Sequence, residues 1–103
     1  MANFINSLKE INKLRQSAKV LEKKLREERM DFSSRDGRVK GIINGKMEII
    51  SLEISPDLLS VQQKQNLEKL ILETINNAGG QMQSQVSKIV SSQVGVNLRD
   101  LGL

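Results

Sequence analysis

The stretch Arg38 to Ile54, RVKGIINGKMEIISLEI, constrains this chain more than any other. Two strand-like runs flank Asn44-Gly45. Asn-Gly is the strongest short hairpin signal, because a type I′ turn needs φ > 0 at both central residues. Ile42 and Ile43 precede the turn, and Ile49, Ile50, Leu52 and Ile54 follow it. Such residues suit a pleated, half-buried surface. Alternation puts Ile50, Leu52 and Ile54 on one face and Glu53 on the other. On the partner strand Val39, Gly41 and Ile43 alternate with Arg38, Lys40 and Ile42. Gly41 inside a strand signals a bulge or a close backbone approach.

Two long helices flank this hairpin. Residues 3–29 carry Phe4, Leu8, Ile11, Leu14, Ala18, Leu21 and Leu25 at steps of three and four, a heptad-like stripe with no Gly or Pro. Asn3 is the expected N-cap. At about 1.5 Å per residue the helix is roughly 40 Å long, more than a small sheet can cover, so part of it should project or pair with another helix. Met30-Asp31-Phe32-Ser33-Ser34 alternates and predicts a first short strand, with Arg35-Asp36-Gly37 as the turn after it. Ser55-Pro56-Asp57 ends the sheet, since Pro lacks the N–H for a ladder bond. Leu58 and Leu59 should tuck under the sheet. Ser60 and Gln63 match a capping box.

The second helix then runs from Val61 to about Ser92. Leu67, Leu70, Ile71, Ile75, Ala78, Met82, Val86, Ile89 and Val90 form its apolar face. Gly79-Gly80 interrupts it at a cost of roughly 1 kcal/mol per Gly against Ala, which predicts a kink or a tight crossing by another helix. Residues 94–103 lack a clear period and are expected to be loosely ordered. The whole is one α+β domain over residues 1–103: helix, three-stranded antiparallel sheet, helix. Its uncovered apolar stripes point to a homo-oligomer.

The charge is unevenly placed. The 103 residues carry a net +4. Residues 1–30 hold eight basic and four acidic groups, while residues 31–103 hold eight of each. The excess therefore sits on the first helix. With Phe4 at heptad position a, Lys9, Lys13, Lys19, Lys23 and Arg26 all fall at b, c or f, away from the seam, and only Glu27 dilutes that face. Such a face suits a polyanion. A plainer reading has the charges only keep the helix soluble, helped by i,i+4 pairs such as Glu22 with Arg26 and Lys24 with Glu28.

What is missing narrows the function. There is no Cys and no His. Disulfides, thiolate metal sites and the commonest general base are excluded, and a reducing compartment fits. No P-loop, GxGxxG or nucleophile elbow occurs. The chain does not read as an enzyme, and no cofactor or metal is expected. The N-terminus, MANFINSLKEINKL, lacks the apolar core of a signal peptide, and no apolar run reaches membrane-spanning length. Phe4 and Phe32 are the only aromatics and are expected in the core, so base stacking on single strands is not the mode. Phosphate contact by Lys and Arg on duplex DNA remains.

The run GRVKGIINGKMEIISLEISPDLL, Gly37 to Leu59, followed by LEKLILETINNA, Leu67 to Ala78, resembles the YbaB/EbfC family of bacterial nucleoid-associated proteins. Ser55-Pro56-Asp57-Leu58-Leu59 stands where that family has an I-D-P-x-L-L element, with Ser in place of Asp. Asn76-Asn77-Ala78 stands for its N-D-A segment. The resemblance covers residues 5–92. It implies an α-β-β-β-α homodimer with projecting helical arms that bind DNA; phosphate contact by Lys and Arg makes the expected binding that of duplex DNA with low sequence selectivity. It also implies a place in the cytoplasm and nucleoid, with roles in nucleoid organisation and gene regulation. The expected DNA contacts are Lys9, Lys13, Arg15, Lys19, Lys23, Lys24 and Arg26 on the first helix and Lys88 on the second. No membrane partner is expected, because the first helix lacks Trp and its seam suits a helix better than lipid. The competing reading is a structural or adaptor protein whose apolar helix seams bind an unidentified protein partner.

Overall fold

A computed structural model of the chain describes the backbone of residues 2–100 and the side chains of residues 4–92. Helix α1 (Ala2–Glu27) leads into strands β1 (Arg29–Ser33), β2 (Val39–Asn44) and β3 (Ile49–Ile54). Two short 3-10 turns, Pro56–Leu58 and Val61–Gln63, connect the sheet to helix α2 (Lys64–Asp100). The order α-β-β-β-α is the one the sequence predicts. Helix α1 is already helical at Ala2, one residue before the expected cap Asn3, whose side chain lies outside the described residues. Helix α2 continues past Ser92 to Asp100, and residues 101–103 lie outside the described residues.

The sheet is antiparallel in the order β1-β2-β3. Met30 faces Ile43 and Phe32 faces Gly41 across the first pair; Val39 faces Ile54 and Gly41 faces Leu52 across the second. Cross-strand partners share a face. One face therefore carries Met30, Phe32, Val39 and Ile43, and α2 lies on it. Phe32, Ile43, Ala78 and Met82 form the buried core, with Met30, Ile75 and Val86 packed around them. The close approach expected at Gly41 is real: a Cβ there would sit 2.6 Å from the Phe32 ring. The Ser60 side chain accepts from the Gln63 N–H and starts the short turn before α2.

Helix α2 covers β1 and β2, whereas β3 stays open. All of β3 is exposed except half-buried Ile54. A bulge shifts the register between Ile42 and Ile43, so Ile49 rather than Ile50 stands opposite Ile43. This corrects the simple alternation of Ile50, Leu52 and Ile54. Leu58 is fully buried, but Leu59 is 66% exposed, so only the first of the pair tucks under the sheet. Helix α2 runs through Gly79 and Gly80 without a break, and a Cβ at either would meet nothing within 4 Å. Among the described residues of the chain no helix crosses there.

Asn44-Gly45 does form the hairpin, though not as a type I′ turn. Of the turn residues only Met47 has positive φ, at 63°. The Met47 N–H donates to the Asn44 carbonyl and the Asn44 N–H to the Glu48 carbonyl, both at 3.0 Å. The result is a three-residue loop with a left-handed residue in last place. Asn44 is chosen for its side chain. Its Oδ1 accepts from the Lys46 and Glu48 N–H groups at 2.9 and 3.0 Å, and its Nδ2 donates to Glu48 Oε1 at 3.0 Å. An Asn amide satisfied in this way can be buried without penalty, and Asn44 is 1% exposed.

Candidate nucleic-acid interface

The basic residues of α1 stand on a helix that leaves the body of the protein. From Phe4 to Val20 every α1 side chain is exposed; Leu21, Leu25 and, just beyond the helix, Glu28 are half-buried. The 26 residues of α1 span about 39 Å. That is close to one turn of duplex, since each strand advances about 3.4 Å per phosphate.

All seven expected contacts on α1 are solvent-exposed. Lys9, Lys13, Arg15, Lys19 and Lys24 have no ion-pair partner among the described residues, so their charge is available to a polyanion. Two others are partly neutralised. Lys23 lies 4.0 Å from Glu27, and Arg26 lies 3.1 Å from Glu22. The expected Glu22–Arg26 pair thus forms, whereas no Lys24–Glu28 pair does among the described residues. Lys88 is exposed on α2, apart from the α1 group by element. Phe4, expected in the core, is 69% exposed, because the sheet does not extend beneath that end of α1.

Three basic groups on or beside the sheet, Arg38, Lys40 and Lys46, are in ion pairs, whereas Arg29 and Arg35 have none among the described residues. Arg38 donates to Asp36 at 2.7 Å and to Asp57 at 3.4 Å, closing the β1–β2 turn onto the segment after β3. Its guanidinium, with the Arg38 and Ser34 hydrogen bonds, holds the Asp36 carboxyl down to about 2. Ser55 Oγ donates to the other oxygen of Asp57. Lys46 Nζ lies 2.7 Å from Glu22 Oε1 and holds that carboxyl below its usual range, chiefly through this hydrogen bond. The spacing of residues 22 and 46 gave no hint of that pair. Only the fold brings the β2–β3 turn to the end of α1.

This is a small helix–sheet–helix protein that carries its excess positive charge on an uncovered helix. The profile of the YbaB/EbfC DNA-binding family matches residues 1–96, and the chain belongs to that family. It is 28% identical over 103 residues to a nucleoid-associated protein of Thermoanaerobacter pseudethanolicus, covering 96% of this chain and 90% of the relative. It is 30% identical over 101 residues to one of Pelotomaculum thermopropionicum, covering 98% and 95%. Among solved structures, an uncharacterized Helicobacter pylori protein superposes with a TM-score of 0.63 at 19% identity, over 78% of this chain and 93% of that one. That likeness shows the fold. Among the described residues no helix is long and apolar enough to cross a membrane.

Proposed function

We propose that this protein acts in the nucleoid as a homodimer that binds duplex DNA with little sequence selectivity through the basic face of α1, contributing to nucleoid organisation and gene regulation. The observation that carries the reading is the run of cations without ion pairs among the described residues, Lys9, Lys13, Arg15, Lys19 and Lys24, on a helix that projects from the fold. Contacts of this kind go to phosphates and carry little sequence information. Lys23, Arg26 and Lys88 add to them more weakly: the first two share their charge with Glu27 and Glu22, and Lys88 stands on α2. The open strand β3 and the exposed apolar seam of α1 support the dimer. Ile49, Ile50 and Leu52 are each at least 40% exposed, and so are Phe4, Ile5, Leu8, Ile11 and Leu14. A second copy would cover them.

The test is fluorescence anisotropy of a labelled duplex of about 30 base pairs at about 50 and 200 mM salt, where each neutralised phosphate contributes a logarithmic slope near −0.9. Binding at both salts with a steep slope is expected. The exposed α1 seam also fits a protein adaptor. No DNA binding at the lower salt, with one protein partner retained instead, would favour that reading.

A further inference from the structure

We infer that the β2–β3 turn, through Gly45 and the Lys46–Glu22 pair, positions the α1 arm for its contact with nucleic acid. The inference rests on the DNA-binding reading above for its consequence, and on the fold alone for its geometry. Within the chain no α1 side chain from Phe4 to Val20 is covered, so whatever direction the chain itself gives the arm is set in the last two turns of α1. There the turn acts as a cap. The Gly45 N–H is shared between the Leu25 carbonyl at 2.9 Å and the Glu28 carbonyl at 3.1 Å. Carbonyls at the end of a helix lack partners within it, and a donor from elsewhere in the fold satisfies them. Gly45 is buried, and a Cβ on it would lie 2.5 Å from the Leu25 oxygen and 3.0 Å from the Leu25 Cα. Only glycine lets the two backbones meet.

One turn back along α1, Lys46 holds Glu22 at 2.7 Å, and the same Glu22 oxygen takes Arg26 at 3.1 Å. A cation here also suits the negative end of the helix dipole. The two tethers, one backbone and one ionic, grip adjacent turns and so fix the tilt as well as the position. The lever is long. Lys9 lies about 24 Å along the helix from Leu25. A tilt of roughly 20° at the base would carry it about 8 Å, against a major groove about 12 Å wide.

This gives Glu22 a role opposite to the one its charge suggests. It is an acid on a basic arm. If charge alone decided binding, Glu22→Gln would tighten DNA binding. If Glu22 positions the arm, the substitution weakens binding, by roughly two- to five-fold for a half-exposed pair. Gly45→Ala should weaken it further, by roughly ten-fold, because it displaces a backbone hydrogen bond as well.

The experiment pairs DNA affinity with a direct measure of the arm. The chain has no cysteine, so nitroxide labels at Gln16→Cys and Arg35→Cys report one distance between arm and sheet, with labelled protein diluted in unlabelled protein to keep the pairs within one chain. Glu22→Gln and Gly45→Ala should shift or broaden that distance and weaken binding; Lys46→Arg, which keeps the pair, should leave both near the parent. An unchanged distance in both variants, or tighter binding by Glu22→Gln, would overturn the inference. Circular dichroism checks folding, and if Gly45→Ala unfolds, Glu22→Gln alone decides between the two roles. Should the parent protein fail to bind DNA while the variants still move the arm, the positioning stands and the DNA-binding reading falls.

Discussion

Helices α1 and α2 both carry an apolar stripe at helical spacing, and the fold treats them differently. The stripe of α2 lies on the sheet, where Ala78 and Met82 are essentially inaccessible. The stripe of α1 is bare for most of its length, with Phe4 69% and Leu14 68% exposed. Charge follows the same division. The net positive charge of the chain belongs to the uncovered helix, while in the described part of α2 the Lys and Glu side chains nearly balance. Periodicity therefore says that a helix has a face to bury, but not whether its own chain supplies the cover. A helix left open by its own chain is the one free to meet a second copy or a polyanion.

The sharpest way to break this comparison is to truncate one residue from each stripe. Met82→Ala empties a fully buried site and should lower stability by about 2–5 kcal/mol in chemical denaturation. Leu8→Ala removes a side chain the single chain does not cover and should change the stability of a monomer by less than about 0.5 kcal/mol. If α1 instead forms a seam between copies, Leu8→Ala will lower the midpoint clearly at high protein concentration, and the loss will shrink toward zero as dilution makes both forms monomeric. The charge half of the comparison comes next. Replacing Lys9, Lys13 and Lys19 together by Gln should reduce the logarithmic salt slope by up to about 2.7 for each protomer in contact with the duplex. The same change at Lys64 and Lys69 of α2 should leave the slope nearly unaltered. Equal losses from both helices would mean that the uncovered helix has no special claim on DNA.

Much of this was legible in the sequence. The helical stripe that packs α2 on the sheet, the hairpin at Asn44-Gly45 and the close approach at Gly41 all follow from local pattern. The type of turn did not, because the Asn44 side chain satisfies the loop in place of left-handed backbone at Asn44 and Gly45. The exposure of Phe4 and of β3 was also hidden, since hydrophobicity marks a surface for burial without naming what buries it. Lys46 with Glu22 and Gly45 against Leu25 join residues about 20 apart in the chain, and no periodicity reports contacts of that kind. The cations of α1 could be named from the sequence, but the contacts at the base of that helix could not.

Gly79 and Gly80 test the covered helix in turn. Both sit within α2, and none of the described residues approaches the space where their side chains would be. Gly79→Ala and Gly80→Ala should therefore each raise stability by up to about 1 kcal/mol, read as a higher thermal midpoint. A fall instead would mean that a helix from another copy crosses α2 there and needs the backbone bare.

The smallest expected effect concerns pH, and it separates the sheet end of the molecule from the base of the arm. Asp36 is held at about 2 against an ordinary value of 3.8, chiefly by the Arg38 hydrogen bond. The folded protein therefore takes up this proton later than the unfolded chain. The stabilisation is fully present above about pH 4 and drains away as pH falls toward 2. Glu22 is lowered from 4.5 in the same direction by Lys46, so its contribution begins to fade below about pH 4.5. Asp36→Asn should flatten the loss of stability between about pH 4 and 2, while Glu22→Gln should flatten the onset just above it. Both groups are exposed to solvent, so added salt should shrink both differences. If only Asp36→Asn altered the acid limb of a pH series of denaturation midpoints, the sheet turn would be tied by its charges, and the grip on α1 would rest on the Gly45 backbone bonds alone.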